Sequence, residues 1–233
     1  MNLRWMAALA ALLLAATAGA EGTPQGKELQ EKKERVSYSI GMDIGRNLKQ
    51  QPFEVDPDLL AQGVRDAFAG GKTLLTPEEA RQTLADLQKE LMEKQQEQVR
   101  RIMEKNRKEG EEFLAANKKK KGVVTLPSGL QYKVLKAGSG SSPKLTDTVE
   151  TNYRGTLIDG TEFDSSYQRG ETATFPVSGI IEGWKEALQK MKVGDKWQLF
   201  VPAELAYGER GAGREIGPNQ ALIFEIELLG IKK

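Results

Sequence analysis

The chain has 233 residues, 39% hydrophobic and 29% charged, a composition typical of a soluble protein of one or two domains. Its 34 basic and 33 acidic residues nearly cancel, so the net charge gives no reason to expect nucleic acid as a partner. Cysteine and histidine are absent, which excludes thiol exchange, Ser-His or Cys-His nucleophilic catalysis and most transition-metal sites. With no glycine-rich phosphate loop either, we expect a function that needs no cofactor and no metal.

The N-terminus has the pattern of a cleavable export signal over residues 1–20. Arg4 precedes an apolar run at 7–16, and Ala18 and Ala20 flank a glycine in a small-x-small cleavage site. The run is shorter than the roughly 20 residues that span a bilayer, so an uncleaved anchor is the weaker alternative. We expect a mature protein without an integral membrane segment, located in the periplasm, with outer-membrane association or secretion as open alternatives.

Helical patterns extend over residues 27–121. Gly41 and Gly45 lie one turn apart on the first helix, which favours close packing of a second helix, although a tertiary-supported helix also tolerates them. Asp56 and Pro57 form a start signal for the next helix, and Gly70 a stop signal. The apolar residues of the first helix recur every four positions, at Val36, Ile40, Ile44 and Leu48.

A long helix is predicted to follow. Thr76, Pro77 and Glu79 form a capping-box start, and the helical composition continues to about residue 117. Forty or so residues make a helix of roughly 60 Å. Its apolar positions are too sparse for a core helix, so we interpret it as a connecting rod with a solvated charged surface. We place a helical domain at 21–75, the connecting helix at 76–121 and a second domain at 122–233.

The second domain is predicted to be α+β. Short β-branched and aromatic segments are punctuated by glycine and proline, with a single short helix at 183–191. This pattern predicts an antiparallel sheet, a half-barrel, wrapped on one short helix. The predicted strands cover 130–136, 148–157, 196–202 and 221–229.

Four motifs in this domain resemble those of one enzyme family. They are YRGTL at 153–157 with FDSS at 163–166, IIEGW at 180–184, LAYG at 205–208, and GPN at 217–219 with LIFEIEL at 222–228. In this order and with these gaps, residues 123–233 resemble the FKBP-type peptidyl-prolyl cis–trans isomerases. The resemblance implies an enzyme that accelerates rotation about X–Pro bonds.

The resemblance also implies roles for individual residues. Trp184 would form the floor of an apolar pocket, and the Ile181 N–H and the Tyr207 hydroxyl would donate hydrogen bonds to substrate carbonyls. Asp164 would be the carboxylate inside the pocket, paired with Arg169. Taken singly, such aromatics are more often core residues, but their joint occurrence in register favours a site. The implied catalytic residues are Tyr153, Phe163, Asp164, Ile181, Trp184, Tyr207 and Phe224, and the implied substrate-binding residues are Arg169, Ile180 and Ile216.

Two departures from the family pattern concern substrate preference. Ala173 stands where many members have a further aromatic wall. In the loop after Tyr207, residues 210–213 lack a histidine often seen there. They leave open the preferred residue before proline and the affinity for macrolide inhibitors, which are candidate ligands. The floor and the carboxylate are unaffected.

The N-terminal region resembles the dimerising arm of the subgroup that includes macrophage infectivity potentiator and the periplasmic FKBP-type foldases. The segment SYSIGM at 37–42 and the long helix carry this resemblance. It implies a homodimer through the N-terminal helices, acting on proline-containing unfolded or partly folded exported proteins. The alternative is mainly a holding chaperone with weak or no isomerase activity.

Overall fold

The computed structural model describes residues 30–232, so the predicted export signal lies outside the described residues. By its internal contacts the chain divides into two units, with the division between Ala80 and Arg81. Within residues 30–232, no helix is both long enough and apolar enough to span a membrane.

The first unit contains two helices, α1 (Lys32–Lys49) and α2 (Pro57–Ala69). The predicted caps of α2 are confirmed. The Asp56 carboxylate accepts hydrogen bonds from the N–H groups of Asp58 and Leu59 at 2.8 and 3.0 Å. Gly70 ends the helix with a φ of 65°, in the left-handed region that glycine adopts without strain.

The apolar face of α1 is exposed. None of residues 30–80 is buried, and five large apolar residues of α1 expose between 44% (Ile44) and 63% (Tyr38) of their surface, whereas Leu48 is half-buried. A Cβ added at Gly41 or Gly45 would meet no atom within 4 Å, so no helix within residues 30–232 packs closely on these glycines. The predicted periodicity is therefore present, but no part of residues 30–232 covers this face.

The predicted long helix is α3, Pro77–Asn117. Its capping box is formed: the Glu79 N–H donates to Thr76 Oγ1 at 3.2 Å, and the Thr76 N–H donates to the Glu79 carboxylate at 2.8 Å. Its charged residues are exposed and pair one turn apart, as Lys94 does with Glu90 at 2.7 Å. Such pairs support the helix locally.

The second unit is built on a seven-stranded sheet in which every pair of neighbouring strands is antiparallel. The order is β1-β2-β6-β7-β3-β4, with β5 also paired to β3. The strands are β1 (Val123–Thr125), β2 (Gln131–Lys136), β3 (Thr148–Leu157), β4 (Glu162–Ser165), β5 (Ala173–Pro176), β6 (Lys196–Val201) and β7 (Leu222–Lys232).

Strand β3 is the strand with which β4, β5 and β7 all pair. It pairs with β7 along its whole length, while β5 pairs with its first residues and β4 with its last. The helix α5 (Glu182–Leu188) buries Trp184, Ala187 and Leu188 against the sheet, at the spacing of one helix face. This confirms the predicted α+β half-barrel wrapped on a short helix.

Sequence periodicity missed the shortest elements. Strands β1, β4 and β5 and the one-turn helix α4 (Ser166–Arg169) have three or four residues each, too few to show a period of two or 3.6. The predicted helix at 183–191 ends earlier, at Leu188, although Met191 remains fully buried beyond it.

The last turns of α3, which belong to the second unit, pack on its sheet and on the loop before β7. Gly110 is buried with Ala221 so close that an added Cβ would lie 3.1 Å from the Ala221 Cβ. The ring centroids of Phe113 and Phe200 lie 6.0 Å apart. Asn117 is buried and donates to Gln131 Oε1 at 3.0 Å. This part of the helix is not the fully solvated rod that its composition indicates.

Candidate active site

A cavity of about 570 Å³ opens between α5, the middle of β3 and the loop after β6. Strands β3, β4, β5 and β7 and the start of α5 each contribute an aromatic or apolar side chain. Its lining residues are Tyr153, Phe163, Asp164, Phe175, Gly179, Ile180, Ile181, Glu182, Trp184, Ala206, Tyr207 and Phe224. Such a mostly apolar hollow with few polar groups is the usual form of a small-ligand site.

Trp184 is the centre of the aromatic packing. Its indole meets Phe224, Tyr153 and Phe175 edge-on, with ring centroids 5.2, 5.3 and 5.9 Å apart. Edge-to-face contacts of this kind are favourable beyond the area they bury. Trp184 is 4% exposed. The rings therefore hold one another in place and give the cavity a rigid floor.

Phe163 and Phe224 are fixed against the backbone of Gly155. The two rings meet edge-on with centroids 5.6 Å apart. A Cβ added to Gly155 would lie 2.6 Å from the Phe163 ring and 3.0 Å from the Phe224 ring. Only glycine therefore leaves room for both rings at this position of β3.

We expect Gly155→Ala to displace these two rings. The overpacking should lower the free energy of unfolding by about 1–3 kcal/mol, and kcat/KM for a proline-containing peptide by about tenfold as the cavity changes shape. The measurements are thermal unfolding and a peptide isomerisation assay. Gly230→Ala in β7 is the matched control, because its added Cβ would meet nothing within 4 Å. Equal effects of the two substitutions would contradict this packing.

A polar group lies at one side of the cavity. The Tyr153 hydroxyl donates to Asp164 Oδ2 at 2.5 Å, and Arg169 forms an ion pair with the same carboxylate. Arg169 Nη2 also donates to the Tyr153 hydroxyl oxygen at 2.9 Å. Burial and the hydrogen bond to Asp164 raise the pKa of Tyr153 above its usual value, so this hydroxyl stays protonated at neutral pH.

Two hydrogen-bond donors border the cavity. Tyr207 exposes 39% of its surface. Its partial burial, and to a smaller extent the negative charge of Asp164, raise the pKa of its phenol, so the hydroxyl stays a neutral hydrogen-bond donor. Ile181 is the N-cap of α5, and its carbonyl accepts from Trp184 and Lys185. Within residues 30–232 the Ile181 N–H donates to no protein acceptor, which leaves it available to a ligand.

The structure brings together nearly all of the site residues predicted from sequence. All those implied to be catalytic line the cavity, as does Ile180. Arg169 is outside the lining but contacts Asp164 and Tyr153. Ile216 is not among the lining residues. It is buried in the loop after Tyr207, where it pairs with Ala212, and its contact with substrate stays a prediction.

Phe175 is the main lining residue that sequence reasoning missed. The departure noted at Ala173 suggested a missing aromatic wall. Both residues lie on β5, two positions apart and on the same half-buried face, and Phe175 contacts Tyr153 and Trp184. The alternation of Ala173 and Phe175 was the available signal, but β5 is too short to stand out. Gly179, Glu182 and Ala206 were also missed.

Known proteins match both parts of the chain. Residues 33–134 match the family model described as the domain amino terminal to FKBP-type peptidyl-prolyl isomerase. Residues 139–229 match the model of FKBP-type peptidyl-prolyl cis–trans isomerase. The outer membrane protein MIP of Legionella longbeachae is 47% identical over 96% of this chain and 96% of that protein.

Two further proteins are similar to this chain over most of its length. The peptidyl-prolyl cis–trans isomerase Mip of Coxiella burnetii is 47% identical over 95% of this chain and 94% of its own. The crystal structure of FkpA from Escherichia coli matches 88% of this chain and 99% of its own, with a TM-score of 0.73 and 40% identity. The chain thus belongs to the FKBP-type peptidyl-prolyl cis–trans isomerases and is an enzyme of that activity.

Proposed function

We propose that the cavity over Trp184 binds the proline and the preceding peptide bond of its substrate and stabilises the bond in its half-rotated state. Rotation about an X–Pro bond faces a barrier of about 18–20 kcal/mol. No bond breaks, so neither nucleophile nor metal is needed. A gain of roughly 10⁴-fold corresponds to about 5.5 kcal/mol of transition-state stabilisation. The apolar aromatic lining is the observation that carries this proposal.

The chemistry follows from the loss of amide resonance. A twisted amide has a less polarised carbonyl than a planar one, so an apolar cavity that excludes water favours the twisted form. The free Ile181 N–H and the Tyr207 hydroxyl would orient neighbouring carbonyls of the peptide. Asp164, held by Arg169 and Tyr153, would fix the Tyr153 ring as a wall and place a negative charge beside the rotating bond.

The Tyr207 hydroxyl is tested by Tyr207→Phe. The ring remains, and only the donor is lost, so we expect kcat/KM for a short proline peptide to fall about three- to tenfold, the range of one hydrogen bond. Tyr167→Phe is the control, because Tyr167 is an exposed tyrosine of the same domain that does not line the cavity. Wild-type activity of Tyr207→Phe would remove Tyr207 from the site.

We also infer that the chain forms a homodimer through α1 and α2. The exposed apolar residues of α1 and the open glycines Gly41 and Gly45 support this, because large exposed apolar surfaces usually mark an interface. A glycine face of this kind allows close approach of a second helix. Residues 21–75 would then be the dimerisation domain, 76–121 the connecting helix and 122–233 the isomerase domain.

The proposed substrates are proline-containing unfolded or partly folded exported proteins, with holding-chaperone activity beside isomerisation. The export pattern at residues 1–20 and the similarity to the outer membrane protein MIP of Legionella longbeachae support a periplasmic location or association with the outer membrane. The apolar cavity also makes macrolide inhibitors candidate ligands. If Tyr207→Phe suppresses the aggregation of an unfolded protein as well as the wild type does, while its isomerase activity is lower, then holding and isomerisation are separate activities.

A further inference from the structure

The segment Gly208–Asn219, called the flap here, directly follows Tyr207 and closes on itself. The Asn219 N–H donates to the Gly208 carbonyl at 2.8 Å, which joins the two ends of the flap beside Tyr207. Farther out, Ala212 and Ile216 exchange backbone hydrogen bonds at 2.8 and 3.1 Å. Among residues 30–232, Asn219 is the only non-glycine residue with a positive φ, 56°.

A side chain of the long helix α3 holds this closure from outside. Asn106 Nδ2 donates to the Pro218 carbonyl at 2.8 Å, across 112 positions of sequence. Asn106 is half-buried and lies one turn before the buried Gly110, on the face of α3 that packs on the sheet and its loops. The contact is tight, since a Cβ added to Gly217 would lie 3.3 Å from the same amide nitrogen.

The two hydrogen bonds belong to one peptide plane. The Pro218 carbonyl and the Asn219 N–H are the two polar groups of a single planar peptide unit and point in opposite directions. Asn106 holds one group, and the residue that follows Tyr207 holds the other. Rotation of this plane would break both bonds at once, and a left-handed conformation at a non-glycine residue persists only where its surroundings hold it.

We propose that Asn106 is a positioning residue for Tyr207: the α3 amide fixes the Pro218–Asn219 peptide plane, and this plane fixes the backbone beside the Tyr207 hydroxyl. The inference rests on the proposed role of Tyr207. It assigns part of the catalytic geometry to α3, a helix that contributes no residue to the lining of the cavity. Without the amide, the flap would lose its external support and the hydroxyl would leave its donating position more often.

The test compares Asn106→Asp, Asn106→Ala and Asn106→Gln in the full chain. The aspartate keeps the shape but cannot donate and repels the Pro218 carbonyl, whereas glutamine keeps the donor. For a short proline peptide we expect kcat to fall about three- to tenfold in the aspartate and alanine variants with little change in KM, and glutamine to restore most of it. The Asn219 amide should also exchange faster with solvent in the aspartate variant. Lys108→Ala, on the exposed side of α3, should behave as wild type.

The combination with Tyr207→Phe distinguishes the outcomes. If Asn106 acts through the hydroxyl, Asn106→Asp should lower the activity of Tyr207→Phe less than twofold. A full-size loss on that background, or wild-type kcat in Asn106→Asp, would overturn the proposal. Wild-type activity of Tyr207→Phe would instead refute the role of Tyr207. If Asn106→Asp does not fold, Asn106→Ser takes its place in the same comparison, because the serine side chain is too short to reach the Pro218 carbonyl.

Discussion

Asp164→Leu is expected to lower kcat/KM for a proline peptide about ten- to hundredfold, the range for losing hydrogen bonds to a charged group. The carboxylate accepts a hydrogen bond from the Tyr153 hydroxyl and pairs with Arg169. Leucine would leave the Tyr153 hydroxyl without its acceptor and Arg169 without its carboxylate partner, at the edge of an apolar cavity. Tyr153 also packs edge-on against Trp184, so its release would loosen the cavity floor.

Two companion variants sharpen this experiment. Asp164→Asn keeps an acceptor for the Tyr153 hydroxyl but removes the charge that pairs with Arg169, so its activity should lie between those of wild type and the leucine variant. Glu171→Leu is the control, because Glu171 is an exposed carboxylate close in sequence that does not line the cavity. Asp164→Leu with unchanged kcat/KM would show that the carboxylate is only a structural turn residue.

Removing residues 21–75 is expected to give a monomer that isomerises short peptides at the wild-type rate. Its rate on a proline-limited refolding protein should fall about tenfold or more, because a dimer presents a second site at an effective concentration near the millimolar range. The buried core lies wholly in the second unit, and none of residues 30–80 is buried, so the shortened chain retains its core. Light scattering and the two assays are the measurements.

A variant of unchanged length provides the control for the deletion. Ile40→Glu with Ile44→Glu places charge on the exposed apolar face of α1 and should dissociate the dimer without shortening the chain. It should reproduce the deletion in both assays. A shortened chain that remains dimeric, or a charged variant that refolds proteins at the wild-type rate, would contradict dimerisation through this face.

Much of the fold could be read from sequence because its determinants are local. The caps of α2 and α3 depend on side chains within three residues of the helix start, at Asp56 and Thr76. The long strands β3 and β7 have enough residues to show alternation. The short strands β4 and β5 lack that length, and they are strands because β3 offers them hydrogen-bond partners.

The candidate site was less completely predictable. Motifs in register located the floor, the carboxylate and the rim, and the cavity contains all of them. Phe175 was missed because its role depends on the two rings that it meets in space, Tyr153 and Trp184. Ile216 is buried inside the flap, and its predicted contact with the substrate stays a prediction.

The sequence by itself determined the kind of chemistry: without cysteine or histidine, but with four motifs in order, it indicated an isomerase that needs no nucleophile and no metal. Only the tertiary structure decided which face of α3 packs on the sheet of the second unit. That face carries Asn106, Gly110 and Asn117 beside Phe113, and because three of these four residues are polar or small, hydrophobic periodicity indicates it only weakly. Their packing depends on partners that lie far away along the chain and come together only on folding.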